Sequence, residues 1–148
     1  MLKIKKLNKN AIIPKYNSEE AAGMDLHACI DEPITLKPLE IQLIPTGLAM
    51  ELPKGYEGQI RPRSGLACKF GVTVANSPGT IDSDYRGEVK VGLINNSYND
   101  YTIQPQDRVA QLIIAPVVQM GIVEVEELSD TERGTGGFGH SGFGKEVK

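Results

Sequence analysis

Apolar residues in this chain return at every second position in a series of short runs: Leu2 and Ile4, Leu48 and Met50, Val72 and Val74, then Val89, Val91 and Leu93, with Ile122 and Val125 flanking Val123 near the end. A period of two gathers such side chains on one face of an extended backbone, so each run predicts a half-buried strand. Between the runs stand turn formers: Pro38-Leu39-Glu40, Pro53-Lys54-Gly55-Tyr56, Ser77-Pro78-Gly79 and Asn95 to Asp100. Their recurrence at intervals of about 8–12 residues is the rhythm of a β-sandwich or barrel. From Arg108 to Val118 the text is almost continuously apolar after Gln111, which predicts a strand buried on both faces. One short helix is expected over Ser64 to Phe70, with Ser64 as N-cap and Gly65 weakening its first turn. The expected fold is therefore all-β, with residues 1–128 forming one domain. Residues 129–148 have too few bulky apolar side chains to join a core and are expected to form a flexible tail.

Composition narrows the function. At 148 residues the chain can bury roughly 70% of its unfolded surface and needs neither disulfide nor structural metal. No apolar stretch is long enough to span a membrane, and the opening MLKIKKLNKN has charges without the apolar core of a signal peptide, so a cytoplasmic protein is predicted. Cys29 and Cys68 lack metal-ligand spacing and are expected to be packed thiols. A net charge of −3 lacks the basic excess that binding to a nucleic-acid backbone requires. A small anion held by a few local groups remains open.

Three segments carry side chains suited to such an anion. In Arg61-Pro62-Arg63-Ser64-Gly65-Leu66-Ala67, guanidinium groups, a hydroxyl and free backbone N–H groups converge where a strand gives way to a helix. The same residues also suit a plain capped helix start with solvated arginines. Asn76 to Gly87 holds a Pro78-Gly79 turn whose backbone can read a base edge, followed by Asp82 and Asp84, either of which can serve as a general base. A polar turn is the competing reading of those acids, and an edge aromatic that of Tyr85. Finally, six of the sixteen glycines fall between residues 134 and 144, around Arg133, Thr135, Phe138, His140 and Ser141. Such a segment can wrap phosphates with backbone N–H groups while the ring stacks on a base, or it can be a glycine-rich tail with no ligand.

Taken in order, Ala22 to Ala28, Arg61 to Ala67, Asn76 to Gly87, Gln106 to Leu112 and Arg133 to Gly142 resemble the five motifs of the homotrimeric dUTP pyrophosphatase (dUTPase) family. The resemblance implies a jelly-roll-like β-barrel, a homotrimer with sites shared between subunits, and Mg²⁺-dependent hydrolysis of dUTP to dUMP and pyrophosphate. Such an activity keeps dUTP low and supplies dUMP for thymidylate synthesis. It implies Asp82 as the base for a water attacking the α-phosphorus, and Tyr85 as a ring against the deoxyribose that excludes a 2′-hydroxyl. Asn76 and the backbone of Thr80 and Ile81 match the hairpin that reads uracil. Arg63, Ser64, Gly65 and Gln111 match phosphate contacts, and Lys90 lies where relatives present a side chain to the ligand. Asp25 matches a carboxylate touching waters of the metal shell, while Asp107 and Arg108 match residues bracing subunits. Arg133, Phe138 and Gly139 match the lid, with Arg133 on the γ-phosphate and Phe138 on the uracil ring.

Two positions depart from the family pattern: Gln106 stands where glycine usually opens the fourth motif, and His140 replaces a small hydroxyl residue in the fifth. The alternatives on the same scaffold are a dCTP deaminase-like activity and a non-catalytic nucleotide-sensing module.

Overall fold

The computed structural model describes residues 1–138, 142 and 144. The chain divides into two units, Met1–Val118 and Gln119–Lys148. Among the described residues, the first unit contains, in chain order, strands β1 (Lys3–Lys6), β2 (Met24–His27), β3 (Ile34–Leu36), β4 (Ile41–Glu51) and β5 (Tyr56–Arg61), helix α1 (Ser64–Phe70), and strands β6 (Val72–Val74), β7 (Gly79–Ile81), β8 (Glu88–Asn95), β9 (Tyr101–Ile103) and β10 (Arg108–Pro116).

Antiparallel pairing builds one sheet in the order β1-β4-β8-β6 and another in the order β2-β10-β5-β7, with β3 and β9 as a separate pair. Successive strands keep changing sheet, as the jelly-roll-like expectation requires. Both sheets contribute to one core: Ile44, Leu48 and Met50 of β4 and Val89, Val91 and Leu93 of β8 share it with Leu26 of β2, Ile60 of β5 and Leu112 of β10. The period-two runs of β8 end on Asn95, which is fully buried. Sequence reading placed that residue in a turn. It instead closes the strand and holds the turn in place, donating from Nδ2 to the carbonyls of Leu36 and Asn99 and accepting from the backbone N–H and hydroxyl of Ser97.

Four expectations are corrected. Ile122 to Val125 do not form a strand: Ile122 is 100% and Val123 80% exposed, and alternation becomes a strand only where a partner edge receives it. The last strand ends at Pro116, and while Val109, Ala110 and Leu112 are buried, Val118 is exposed, so this strand is covered fully on one face of the single chain. Ser64 is the first helical residue, with Arg63 at the N-cap position and no side-chain cap. Cys68 is exposed and not packed, because α1 lies on the surface and buries none of its residues, whereas Cys29 is half-buried against the core as expected.

In the second unit the described residues form turns only, with Gly134 N–H donating to the Thr131 carbonyl at 3.0 Å and Arg133 Nε to the Gly136 carbonyl at 2.7 Å.

Candidate active site

The segment that leaves β6 in one sheet, crosses to β7 in the other and returns to β8 builds the first half of the site. Val72 and Val74 point into the core, which turns the following residues outward, and Ser77 donates its hydroxyl to the Val74 carbonyl at 2.6 Å to close the reversal. Strand β7 then lies along β5, Gly79 opposite Ile60 and Ile81 opposite Gly58. Ile81 is buried, so its neighbours Thr80 and Asp82 are exposed on the other side. A turn closed by Tyr85 N–H on the Asp82 carbonyl at 3.1 Å leads into β8. Asp82 thus opens that turn and Asp84 lies within it.

These elements surround a cavity of about 360 Å³ whose lining includes Asn76, Thr80, Ile81, Asp82, Tyr85 and Lys90. This size suits a small ligand. Its walls are apolar at Ile60 and Val89 and polar at Asn76, Asp82, Glu88 and Lys90. Glu88 was missed by sequence reasoning, yet it ties the cavity to the core. Its Oε1 accepts from Gly47 N–H at 2.9 Å, its Oε2 lies 3.8 Å from Lys90 Nζ, and its carbonyl accepts from the Tyr85 hydroxyl at 3.0 Å. The legible signal was its place two residues before Lys90 on one strand, which puts both side chains on one face.

The second half lies around the start of α1. Asp25, on β2, accepts from Arg63 Nε at 2.9 Å and from Asn17 Nδ2 at 3.0 Å, with Arg108 NH1 at 3.6 Å. Asn17 is a further partner that the sequence did not single out. Gln111 faces Asp25 across the β2–β10 register and donates from Nε2 to the Pro62 carbonyl at 2.9 Å. Arg63 and Gly65 line a separate cavity of about 320 Å³ with Lys69, Tyr101, Asp107 and Arg108. The Nδ1 atom of His27 is buried without a partner among the described residues, and burial lowers that imidazole's affinity for a proton.

The register keeps these halves apart. Because Ile81 opposes Gly58, Asp82 lies beside the beginning of β5, whereas Arg63 and Ser64 follow its end. Counted from Glu57, beside Asp82, to Arg63 at about 3.3 Å per residue, the separation along the chain is on the order of 20 Å. Thus Asn76, Thr80, Ile81, Asp82, Tyr85 and Lys90 come together, Asp25, Arg63, Gly65 and Gln111 come together with exposed Ser64 beside them, and the two groups do not meet within one chain. Arg133 and Phe138 belong to the second unit, where Phe138 is exposed with φ 47°. Gly139 and His140 lie outside the described residues.

No group of three His, Cys, Asp or Glu side chains suited to a metal occurs among the described residues. Nor is any helix among them long and apolar enough to cross a membrane.

A family model described as dUTPase matches residues 9–142. The deoxyuridine 5'-triphosphate nucleotidohydrolase of Nautilia profundicola is 64% identical over 141 residues, covering 95% of this chain and 98% of that protein. A mutant dUTPase of Staphylococcus bacteriophage 80alpha, solved with dUpNHpp, superposes with a TM-score of 0.88 at 30% identity, over 97% of this chain and 99% of its own. A dUTPase mutant from phage phi11 of S. aureus, described as coordinating a structural Mg(II) ion, gives a TM-score of 0.79 at 28% identity, over 88% and 99% of the two chains.

Proposed function

The chain belongs to the dUTPase family, with its β jelly-roll fold, and on that premise we propose how its residues divide the hydrolysis of dUTP to dUMP and pyrophosphate. The observation that carries the assignment is the cavity in which Asn76, from the loop after β6, meets Asp82 and Tyr85, from the turn after β7. Uracil enters between Asn76 and the backbone of Thr80 and Ile81. A slot matched to uracil's donors and acceptors mispairs with cytosine and has no room for the thymine methyl. The Tyr85 ring packs on the deoxyribose and excludes a 2′-hydroxyl, and Lys90 adds a cation at the rim.

Asp82 accepts a proton from water as the water oxygen bonds to the α-phosphorus. The bond from that phosphorus to the α–β bridging oxygen breaks, and the electron pair leaves with pyrophosphate. Ser64, Arg63, Gly65 and Gln111 bind the phosphate chain, with the Ser64 hydroxyl placed for the bridging oxygen where charge develops. Arg63 reaches the chain with the donors not engaged by Asp25.

Separation of Asp82 from Arg63 within one chain supports sites assembled between subunits of a homotrimer, one supplying the nucleoside cavity and another the phosphate residues. Exposed Val118, Met120, Ile122 and Leu128 support burial against a neighbour. Arg133, Phe138 and Gly139 close the site as a lid, which excludes water and aligns the triphosphate. Residues 129–148 form that lid segment, and residues 1–128 the catalytic domain. The enzyme works in the cytoplasm.

The donor set fits Mg²⁺ in an outer-sphere role. One carboxylate, Asp25, already engaged by two arginines and an asparagine, suits contact with metal-bound water better than direct ligation, and Mg²⁺ commonly keeps several waters and takes substrate phosphates as ligands. When bound, the ion neutralises the triphosphate charge.

Incubation of the purified protein with dUTP and with dCTP tests the assignment. Release of dUMP and pyrophosphate from dUTP alone is expected. Ammonia from dCTP with dUTP untouched would overturn it, as would failure to turn over either nucleotide.

A further inference from the structure

Gly87 makes no wall of the nucleoside cavity, yet it decides where the aromatic wall stands. A Cβ built on Gly87 would overlap the Tyr85 hydroxyl oxygen and lie 2.5 Å from Cζ and 2.9 Å from Cε2 of the same ring. All three nearest atoms therefore belong to Tyr85. The Gly87 backbone lies outside the left-handed region, so alanine is not excluded there by its φ, and the nearest atoms its methyl would meet are those of the ring. In the space left by the missing side chain, the Tyr85 ring folds back over its own turn and places its hydroxyl on the Glu88 carbonyl at 3.0 Å. Glu88 is itself fixed through Gly47 N–H, so the ring is tethered to the buried framework although 46% of its surface is exposed.

We propose that Gly87 is a positioning residue for sugar selectivity: its lack of a side chain holds the Tyr85 ring in the place from which it distinguishes deoxyribose from ribose. This rests on the reading of Tyr85 as the sugar-facing ring. A ring at the protein surface can swing on two torsions at little cost to the fold. An added methyl group at residue 87 therefore displaces the ring, breaks its tether and leaves the core intact. Selectivity changes while stability does not.

The test compares kcat and KM for dUTP and UTP in wild type, G87A, Y85A and the double variant G87A/Y85A, with thermal melting of each. Expected for G87A is a fall of at least about tenfold in the dUTP-to-UTP ratio of kcat/KM, the scale on which a pocket discriminates one small group, as UTP gains entry and dUTP loses a packing surface. In the Y85A background the same substitution changes nothing further, because no ring remains to displace. An unchanged ratio in G87A, or equal losses from G87A in both backgrounds, would overturn the inference. Should G87A alone not fold, a folded double variant that matches Y85A supports it, and an unfolded double variant overturns it. Failure of the substrate reading itself is seen separately, as wild-type protein that does not prefer dUTP to UTP.

Discussion

Asp25 and Arg63 meet at 2.9 Å, carboxylate to Nε, although they are far apart in sequence. Their side chains are 16% and 28% exposed, so this pair is neither a solvated surface bridge nor a fully buried one. Arg108 approaches the second carboxylate oxygen at 3.6 Å, which makes Asp25 the counter-charge for two guanidinium groups. Asp25→Ala should destabilise the fold by about 1–2 kcal/mol, between the values for exposed and buried pairs, and should raise KM for dUTP as Arg63 loses its fixed position. Arg63→Lys keeps the charge but not the fork, and should also raise KM. Denaturant titration and steady-state kinetics check both.

Gln106 carries a backbone φ of 66°, in the left-handed region that favours glycine. Its N–H donates to the Ala28 carbonyl at 2.9 Å, and the adjoining Ala28 N–H to Asp107 carbonyl contact at 2.8 Å fixes the turn. The chain therefore accepts strain where its relatives' motif usually has glycine. Gln106→Gly should stabilise the protein by about 1 kcal/mol, whereas Gln106→Ala should not. Thermal melts of the two variants make the comparison.

Asn95 is an amide among the apolar residues of the core. Asn95→Leu keeps the branched outline of the side chain but strips partners from the Leu36 and Asn99 carbonyls and from Ser97. A loss of about 2–4 kcal/mol in unfolding free energy is expected, since buried polar groups left unpaired cost more than the bonds contributed. Urea denaturation measures it.

Cys29 has its thiol pKa raised above the usual 9.0, first by burial and then by the negative charges of Glu88 and Asp31. A folded-state value above the unfolded one means that the native chain retains a proton the unfolded chain releases. This contribution is fully present below pH 9.0 and is lost as pH rises through the folded value. Stability should therefore decline above pH 9, and Cys29→Ala should decline less. Denaturant melts at a series of pH values give the slopes.

Much of the fold was legible because the period-two runs at Val72, Val89 and their neighbours report burial directly. The helix over Ser64–Phe70 was legible in its extent, although Ser64 proved to be its first residue and not its cap. The stretch from Ile122 to Val125 misled, because apolar spacing becomes a strand only where a paired edge receives it, and these residues are exposed. Asn95 and Glu88 were obscured for a related reason: a polar residue's partners are set by long-range contacts, such as Leu36 with Asn95 and Gly47 with Glu88, that local spacing does not encode. The cavity at Asp82 is lined largely by one continuous segment, from Asn76 to Lys90, and so followed from local sequence, whereas the distance between Asp82 and Arg63 depended on the register of β5 and β7.

In the proposed mechanism Asp82 prepares a water for attack on the α-phosphorus. Hydrolysis of dUTP in ¹⁸O-labelled water, followed by mass spectrometry of both products, tests it most directly when run on wild type and Asp82→Asn side by side. Label in dUMP and none in pyrophosphate is predicted for wild type, with product formation by Asp82→Asn lower by at least about a hundredfold while dUTP still binds. Label in pyrophosphate, or wild-type turnover by Asp82→Asn, would contradict the account.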